Sequence, residues 1–146
     1  MKITTKYIGE FEINKEQIIY FNNGLPGFTE EKKFVLLPLS DDGVFLFLQS
    51  ITNHSLAFIT TNPFLLDKEY EFELNVDDQE MLNIKDSKDV FVQVIVTLKE
   101  TLEESTANLK APLIINGKLG KQVILHGNYD QKHKFFHSEF RSEESC

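Results

Sequence analysis

Short runs of aromatic and β-branched residues, interrupted by Gly, Pro, Asn and Asp, constrain this chain more than any other feature. The chain contains 13 Phe and 4 Tyr but no Trp, and most of these aromatics stand near Val, Ile or Thr. Such residues favour β-strands, and the interruptions favour turns. Because the helical crossovers of a parallel sheet are missing, the sequence predicts an all-β, mainly antiparallel fold: a small closed or nearly closed β-barrel with one short helix.

The runs predict about eight to ten short strands joined by tight turns. Ser40-Asp41-Asp42-Gly43 contains the Asp-Gly pair of a hairpin turn, and Gly117 to Gly120 supplies two glycines for another. Glu71 and Glu73 alternate with apolar residues, as in a half-buried antiparallel strand. The strands are predicted at Lys2 to Ile8, Gln17 to Phe21, Lys33 to Leu39, Val44 to Ser50, Leu56 to Thr61, Tyr70 to Leu74, Val90 to Leu98, Ala111 to Asn116 and Gln122 to His126.

One short helix is predicted after the strand that ends at Leu74. Asp77 can cap its first turn, and Glu80 stands three residues further on, as in a capping box. An apolar face of about two turns follows, formed by Met81, Leu82 and Ile84. This helix interrupts a chain that is otherwise predicted as strands and turns.

The 146 residues correspond to about one domain, and 41% of them are hydrophobic, which suits a single core. No repeat and no Pro-rich or Ser-rich linker divides the chain. We predict one domain over residues 1–137 and a mobile tail from Ser138 to Cys146. No apolar stretch approaches the ~18 residues of a membrane span, and Met1 to Gly9 has no apolar signal-peptide core. We therefore expect a cytoplasmic protein without membrane contact.

The charge balance bears on the kind of partner. Asp and Glu number 23 against 15 basic residues, which gives a formal net charge of -8, and Arg141 is the single arginine. Arginine supplies the bidentate fork that recognises phosphate and guanine, and a net negative charge repels the nucleic-acid backbone. The sequence therefore disfavours direct nucleic-acid binding and favours a basic or amphipathic protein surface as partner.

Much of the negative charge lies in one stretch, from Asp67 to Asp89, where nine acidic residues face three lysines. Two interpretations stay open: a solvated strand face, or an acidic docking patch. The stretch from Lys110 to His137 is its opposite, with five lysines, three histidines and only Asp130 as an acid. The candidate docking residues in the acidic stretch are Glu69, Glu71, Glu73, Asp77 and Asp78.

The residue patterns of catalysis and of cofactor binding are missing. No phosphate-binding loop, dinucleotide fingerprint or Gly-x-Ser-x-Gly elbow occurs, and the single cysteine, Cys146, can form no disulfide within the chain. His133 and His137 have a helical metal-ligand spacing but lack the Glu of a zincin. We expect no catalytic residue, metal or cofactor. A weaker alternative, RNA binding, would use Lys132 and Lys134 with the aromatics Tyr129, Phe135 and Phe136.

Three segments have a more specific pattern. The first ends a strand in a turn that contains Pro followed by Gly, the arrangement of a type II turn. In their order and spacing, the three resemble the FliW family of bacterial flagellar assembly factors from about Ile3 to His133. They are Ile19 to Phe28 with its turn Gly24-Leu25-Pro26-Gly27-Phe28; Leu48-Gln49-Ser50 followed by Phe58 and Asn62-Pro63; and Thr106 to Asn116, which contains Asn108, Ala111 and Pro112, followed by Gly120 to Leu125.

The resemblance implies a monomeric, non-enzymatic adaptor. Members of this family bind the carbon storage regulator CsrA, an RNA-binding repressor of flagellin translation, and they also bind flagellin. Exported flagellin would free the adaptor to sequester CsrA. Other classes that stay open are a small-molecule-binding or hydrolytic barrel and a structural flagellar subunit.

The motif residues are assigned to two groups. Polar side chains at strand ends can be presented to a partner, so Gln49, Ser50, Thr106 and Asn108 are the contact candidates. The others are interpreted as architectural, namely turn formers at Gly24, Pro26 and Gly27, a strand terminator at Asn62-Pro63, and core residues at Leu109, Ile114, Val123 and Leu125.

Overall fold

The structure is a computed structural model that describes residues 1–25 and 27–134. The predicted tail lies outside the described residues. Within them the chain forms eleven strands and one α-helix. Their bounds are β1 Lys2–Thr5, β2 Gly9–Glu12, β3 Ile19–Tyr20, β4 Lys33–Pro38, β5 Phe45–Ser50, β6 Ala57–Thr61, α1 Val76–Met81, β7 Phe91–Thr97, β8 Thr106–Ala107, β9 Leu113–Asn116, β10 Leu119–Gln122 and β11 His133–Lys134.

Seven of the strands close into a barrel. The order is β7-β6-β5-β4-β3-β10-β9, and β9 pairs back onto β7. Every pairing is antiparallel except that of β10 with β3, which joins Leu119 to Tyr20 in parallel. β8 and β11 extend the sheet from β7, and β1 pairs with β2 in a separate hairpin. The predicted all-β, mainly antiparallel barrel with one short helix is confirmed.

Apolar side chains cover both faces of β4 and β5. The rings of Phe21 and Phe34 meet edge to face, with their centroids 5.6 Å apart, in one fully buried cluster. Phe47 lies in a second cluster with Ile3 and Ile13 from the two sides of the β1–β2 hairpin. The hairpin thus shields an apolar sheet face that would otherwise be exposed to water. A third cluster contains the predicted core residues Leu109, Ile114, Val123 and Leu125, all of them buried.

Local turns explain two differences from the predicted strands. The first predicted strand, Lys2 to Ile8, is shorter because the Thr5 hydroxyl donates to the Gly9 carbonyl at 2.6 Å and turns the chain into β2. The prediction of a last strand at Gln122 to His126 was wrong, because β10 begins at Leu119 and ends at Gln122, and residues 123–126 are in no strand. A two-residue turn with Gly117 at φ 59° brings Asn116 opposite Leu119, so pairing starts earlier.

The helix is capped by Asn75, and the prediction of Asp77 as its cap was wrong. The Asn75 side-chain oxygen accepts a hydrogen bond from the Asp78 N–H at 2.7 Å. Asp77 lies two residues after Asn75, in the first turn of the helix. Both residue types can cap a helix, and which one does so depends on where the preceding extended segment ends.

The turn from Gly24 to Phe28 has the predicted geometry at its described residues. The Phe28 N–H donates to the Leu25 carbonyl at 2.8 Å, and Gly27 has a φ of 83°. Gly24 also has a positive φ, 65°, and a Cβ on it would lie 2.5 Å from the Thr29 backbone. Both glycines therefore act as turn formers. Phe28 is 41% exposed and packs edge to face on Phe58.

We expect Gly27→Val to lower the free energy of unfolding by about 1–3 kcal/mol, because a β-branched residue is strained at positive φ. Beyond its two chain neighbours, no atom lies within 4 Å of the added Cβ, so we expect the loss from backbone strain and not from a clash at this atom. Urea denaturation measures it. Gly127→Val is the matched control, since Gly127 also has open space but no positive φ. Equal midpoints for Gly27→Val and the unmodified protein would contradict the turn geometry.

Candidate docking surface

The candidate site is built around residues 69–75, here called the acidic segment, which leads into α1. Its side chains alternate as predicted: Glu69, Glu71 and Glu73 are exposed, whereas Tyr70 is buried and Phe72 is half-buried. The prediction of a paired strand here was wrong, because no strand of residues 1–25 or 27–134 pairs with this segment. It is an extended stretch held by side chains.

Two tyrosines hold the acidic segment in place. The Tyr129 hydroxyl lies 2.9 Å from both the N–H and the carbonyl oxygen of Glu71, accepting from the first and donating to the second. The Tyr70 hydroxyl donates to the Leu109 carbonyl at 2.7 Å, and the two tyrosine rings are 4.6 Å apart. Burial, with smaller effects from Tyr129 and Asp67, raises the pKa of Tyr70, so its hydroxyl remains a donor at neutral pH.

A groove of about 530 Å³ lies on one side of the acidic segment, and we call it the β7 groove. Its walls are formed by the acidic segment, by residues that follow α1 and by the start of β7. Glu71, Lys85 and Asp86 are the charged residues that line it. Its apolar lining is formed by Phe64, Phe72, Leu74, Ile84, Val90 and Val92.

A smaller groove of about 270 Å³ lies on the other side, and we call it the β10 groove because it follows the end of β10. Val123, Ile124 and Leu125 supply its apolar wall, and Ile124 is 58% exposed. Glu71, Phe72 and Leu74 line both grooves. The acidic segment is therefore a partition one chain thick between two apolar depressions.

Asp78 differs from the other acidic candidates. It is only 7% exposed, and its carboxylate forms an ion pair with Lys121 of β10. The Asn116 side chain of β9 also donates to the Leu82 carbonyl, at 2.8 Å. These bonds attach α1 to the β9–β10 hairpin. Asp78, predicted as a docking residue, is therefore mostly buried in this ion pair, although it also lines the β10 groove, whereas Asp77 is exposed.

Gln49 and Ser50 are buried, at 0% and 1% exposure, which corrects the prediction that their side chains are presented to a partner. The Gln49 side-chain oxygen accepts from the Lys6 N–H at 2.8 Å, and its amide donates to the Ser50 carbonyl at 3.0 Å. The Ser50 hydroxyl donates to Glu31 at 3.1 Å. These side chains connect β5 to the β1–β2 hairpin and to the loop before β4, a contact that local sequence patterns do not reveal.

The remaining motif residues lie away from the grooves' linings. Thr106 and Asn108 are half-buried, and the Asn108 oxygen accepts from the Lys110 N–H at 3.2 Å, which closes a local turn. Ala111 and Pro112 are buried, and their carbonyls accept from the Gln122 side chain and the Val123 N–H, both at 3.0 Å. The two carbonyls thus hold the chain that follows β10, which shapes the β10 groove.

The described residues hold no group of three or more His, Cys, Asp or Glu side chains that could bind a metal ion. His133 lies in β11, so the helical spacing that suggested a metal pair does not apply to it. His137 lies outside the described residues.

Of the aromatic residues named for the RNA-binding alternative, Phe135 and Phe136 lie outside the described residues. The Tyr129 ring packs against Tyr70, and its hydroxyl is bonded to Glu71.

No helix within residues 1–25 and 27–134 is long and apolar enough to cross a membrane.

The fold and the candidate site together define a small β-barrel whose most distinctive surface is an acidic segment between two grooves. The family model described as "FliW protein" matches residues 2–135. The chain belongs to the FliW family, which confirms the resemblance found in the sequence.

Relatives and a solved structure agree with this assignment. The flagellar assembly factor FliW of Bacillus subtilis (strain 168) is 52% identical over 136 residues, which cover 91% of this chain and 95% of the relative. That of Clostridium botulinum (strain 657 / Type Ba4) is 41% identical over 142 residues, which cover 95% and 99%. A crystal structure of the flagellar assembly factor FliW superposes with a TM-score of 0.88 at 43% identity and covers 94% of this chain and 99% of that one.

Proposed function

We propose that this protein is a non-enzymatic cytoplasmic adaptor that binds and antagonises the translational repressor CsrA and also binds flagellin. Exported flagellin would free the adaptor, which would then withdraw CsrA and let flagellin translation resume. The observation that carries the proposal is the acidic segment with its flanking grooves, in a member of a family whose relatives are named flagellar assembly factors.

The chemistry of the surface supports a protein partner of basic character. Glu69, Glu71 and Glu73 stand exposed in a row, and an RNA-binding repressor must present positive charge. Apolar grooves beside such a row can bury partner side chains while the carboxylates orient the encounter. The alternative of a ligand-binding barrel is less well supported, since Phe21, Phe34 and Leu113 fill the described interior and are fully buried.

Size-exclusion chromatography with purified CsrA and with purified flagellin tests the proposal. We expect the protein alone to elute as a monomer and to elute earlier, as a defined complex, with each partner. We expect added flagellin to reduce the amount of CsrA bound. Self-assembly of the protein alone would favour a structural subunit instead. Separate elution from both partners at micromolar concentration would contradict the adaptor function.

We also expect the isolated protein to bind neither RNA nor DNA at physiological salt, because a net charge of -8 opposes the approach of phosphate. A gel-shift assay with flagellin leader RNA checks this, with CsrA on the same RNA as the positive control. Submicromolar binding by the isolated protein would contradict the expectation and revive the interpretation based on Lys132, Lys134 and their aromatic neighbours.

A further inference from the structure

The ladder between β6 and β7 covers only part of β7, because β6 stops at Thr61. Pro63 follows directly after Asn62 and has no N–H to continue the ladder with β7. The Asn62 oxygen accepts from the Phe64 N–H at 2.9 Å, which caps a short 3-10 turn over Pro63–Leu65. The chain is thereby diverted from the line that β6 was following. The end of β6 at Asn62-Pro63, which the sequence predicted, therefore leaves part of the neighbouring strand β7 without a partner on this side.

β7 continues past the end of β6. Thr60 and Thr61 pair with its residues Ile95 and Val94, and the pairing with β6 stops there. Phe91–Gln93, the first three residues of β7, pair with β9 on the opposite side. In the described part of the chain, no strand pairs with Phe91–Gln93 on the β6 side. We call this unpaired side of β7 the β6 lane. The Val92 carbonyl accepts from the Gln93 side chain at 3.2 Å, and the turn over Pro63–Leu65 lies near β7.

The β7 groove lies at the β6 lane. Val90 and Val92 of the β7 region form one side of the groove, and Phe72 and Leu74 of the acidic segment also line it. Phe64, which follows the diverted end of β6 directly, lines it as well and is 43% exposed. An open strand edge beside an apolar depression is the arrangement that receives an added β-strand.

We propose that the β6 lane binds an extended, basic segment of a partner protein, which pairs with β7 along Phe91–Gln93 and places alternate side chains in the β7 groove. This inference rests on the proposed function and specifies how a partner is held. Main-chain hydrogen bonds to β7 supply affinity, and the apolar lining selects Val, Ile, Leu or aromatic side chains at every second position.

The charge around the lane determines which residues are favoured at the remaining positions of the partner segment. Glu71 and Asp86 line the groove together with one lysine, Lys85. The stretch of chain that contains them, from Asp67 to Asp89, has nine acidic residues and three lysines. In an added strand the side chains that do not enter the groove point to the opposite face of the strand. Lys or Arg at those positions would give the segment a positive charge that is attracted to this acidic stretch, whereas Asp or Glu would be repelled. The expected occupant alternates apolar and basic residues.

Hydrogen–deuterium exchange, read at single-residue resolution, tests the proposal. The protein is compared alone, with CsrA and with flagellin, and complex formation is verified for each on a sizing column. We expect at least one partner to slow exchange of the Val92 amide. This amide faces the lane, because the Ile95 carbonyl accepts from Asn108 on the opposite side of β7 and backbone groups alternate along a strand. A synthetic peptide of alternating Lys and Val, about nine residues long, is the chemical probe, and its Glu/Val counterpart is the charge control. We expect the first peptide to protect the same amide and the second to leave it unchanged.

Substitutions inside and outside the grooves separate this site from general surface effects. Val90→Lys places a positive charge in the β7 groove and should weaken binding of the protecting partner and of the Lys/Val peptide by about tenfold or more. Ile8→Lys makes the same kind of change next to the β1–β2 hairpin, at an exposed residue that lines neither groove, and should leave both unchanged. Melting temperatures verify that the variants fold. The exchange measurement uses the unmodified protein and so does not depend on the variants.

Each outcome decides the question. Complexes with CsrA and flagellin that leave the Val92 amide unprotected would overturn the β6 lane while the adaptor function stands. If neither protein binds, the adaptor function fails, and the Lys/Val peptide alone decides: protection supports the lane, and its absence overturns it. Protection of the Val92 amide in the protein alone would also overturn the proposal, because the lane would then already be occupied.

Discussion

Replacing Gln49 by leucine is expected to lower the free energy of unfolding by about 2–4 kcal/mol. The leucine fills a similar volume but cannot accept from the Lys6 N–H or donate to the Ser50 carbonyl. The first of these bonds is partly buried and the second is buried, and the Gln49 side chain itself is fully buried. Each buried polar group left without its partner costs about 1–3 kcal/mol. The loss should reach the β1–β2 hairpin first, since the Lys6 bond holds its turn against β5.

Urea denaturation and hydrogen exchange of the hairpin amides measure this effect. Gln79→Leu is the matched control, because Gln79 is exposed and donates to the Leu74 carbonyl at the surface. Its free energy of unfolding should change by less than about 1 kcal/mol. If Gln49→Leu keeps its stability and loses partner binding instead, the original interpretation of Gln49 as a contact residue is correct and the burial argument fails.

Reversing the two central carboxylates, Glu71→Lys with Glu73→Lys, is expected to slow association with CsrA about tenfold at low salt. Both side chains are exposed on the acidic segment, and steering by exposed charge acts mainly on the association rate. The dependence of that rate on ionic strength should also flatten, because the steering field is reduced. Asp78 is left unchanged in this variant because its ion pair with Lys121 holds α1.

Stopped-flow association at several salt concentrations measures both effects. Glu100→Lys with Glu103→Lys is the control: it changes the net charge by the same amount at exposed positions between β7 and β8. The control should retain most of the rate and a steeper salt dependence than the reversed segment. An unchanged rate and salt slope in Glu71→Lys with Glu73→Lys would place the CsrA interface elsewhere.

Local chemistry predicted the turns well and the interactions between distant segments poorly. Asp-Gly in Ser40 to Gly43 and Pro-Gly in the turn before Phe28 act within a few residues, so composition was enough to identify them. The alternation from Tyr70 to Leu74 identified which side chains face inward. It did not show that Tyr129, 58 residues further along the chain, would replace a neighbouring strand.

The sequence alone was sufficient for the fold class, the family and the sign of the surface charge, because strand propensity, turn chemistry and charge are properties of neighbouring residues. The tertiary structure decided which polar residues are accessible. Gln49, Ser50 and Asp78 look like surface residues in the sequence, yet each is covered by segments distant along the chain and satisfied by them. The same holds for the two grooves, since a depression exists only where separate segments meet. Asn62-Pro63 illustrates both local and tertiary effects. The proline ends β6 by local chemistry. The unpaired edge that this leaves on β7 depends on how the barrel closes.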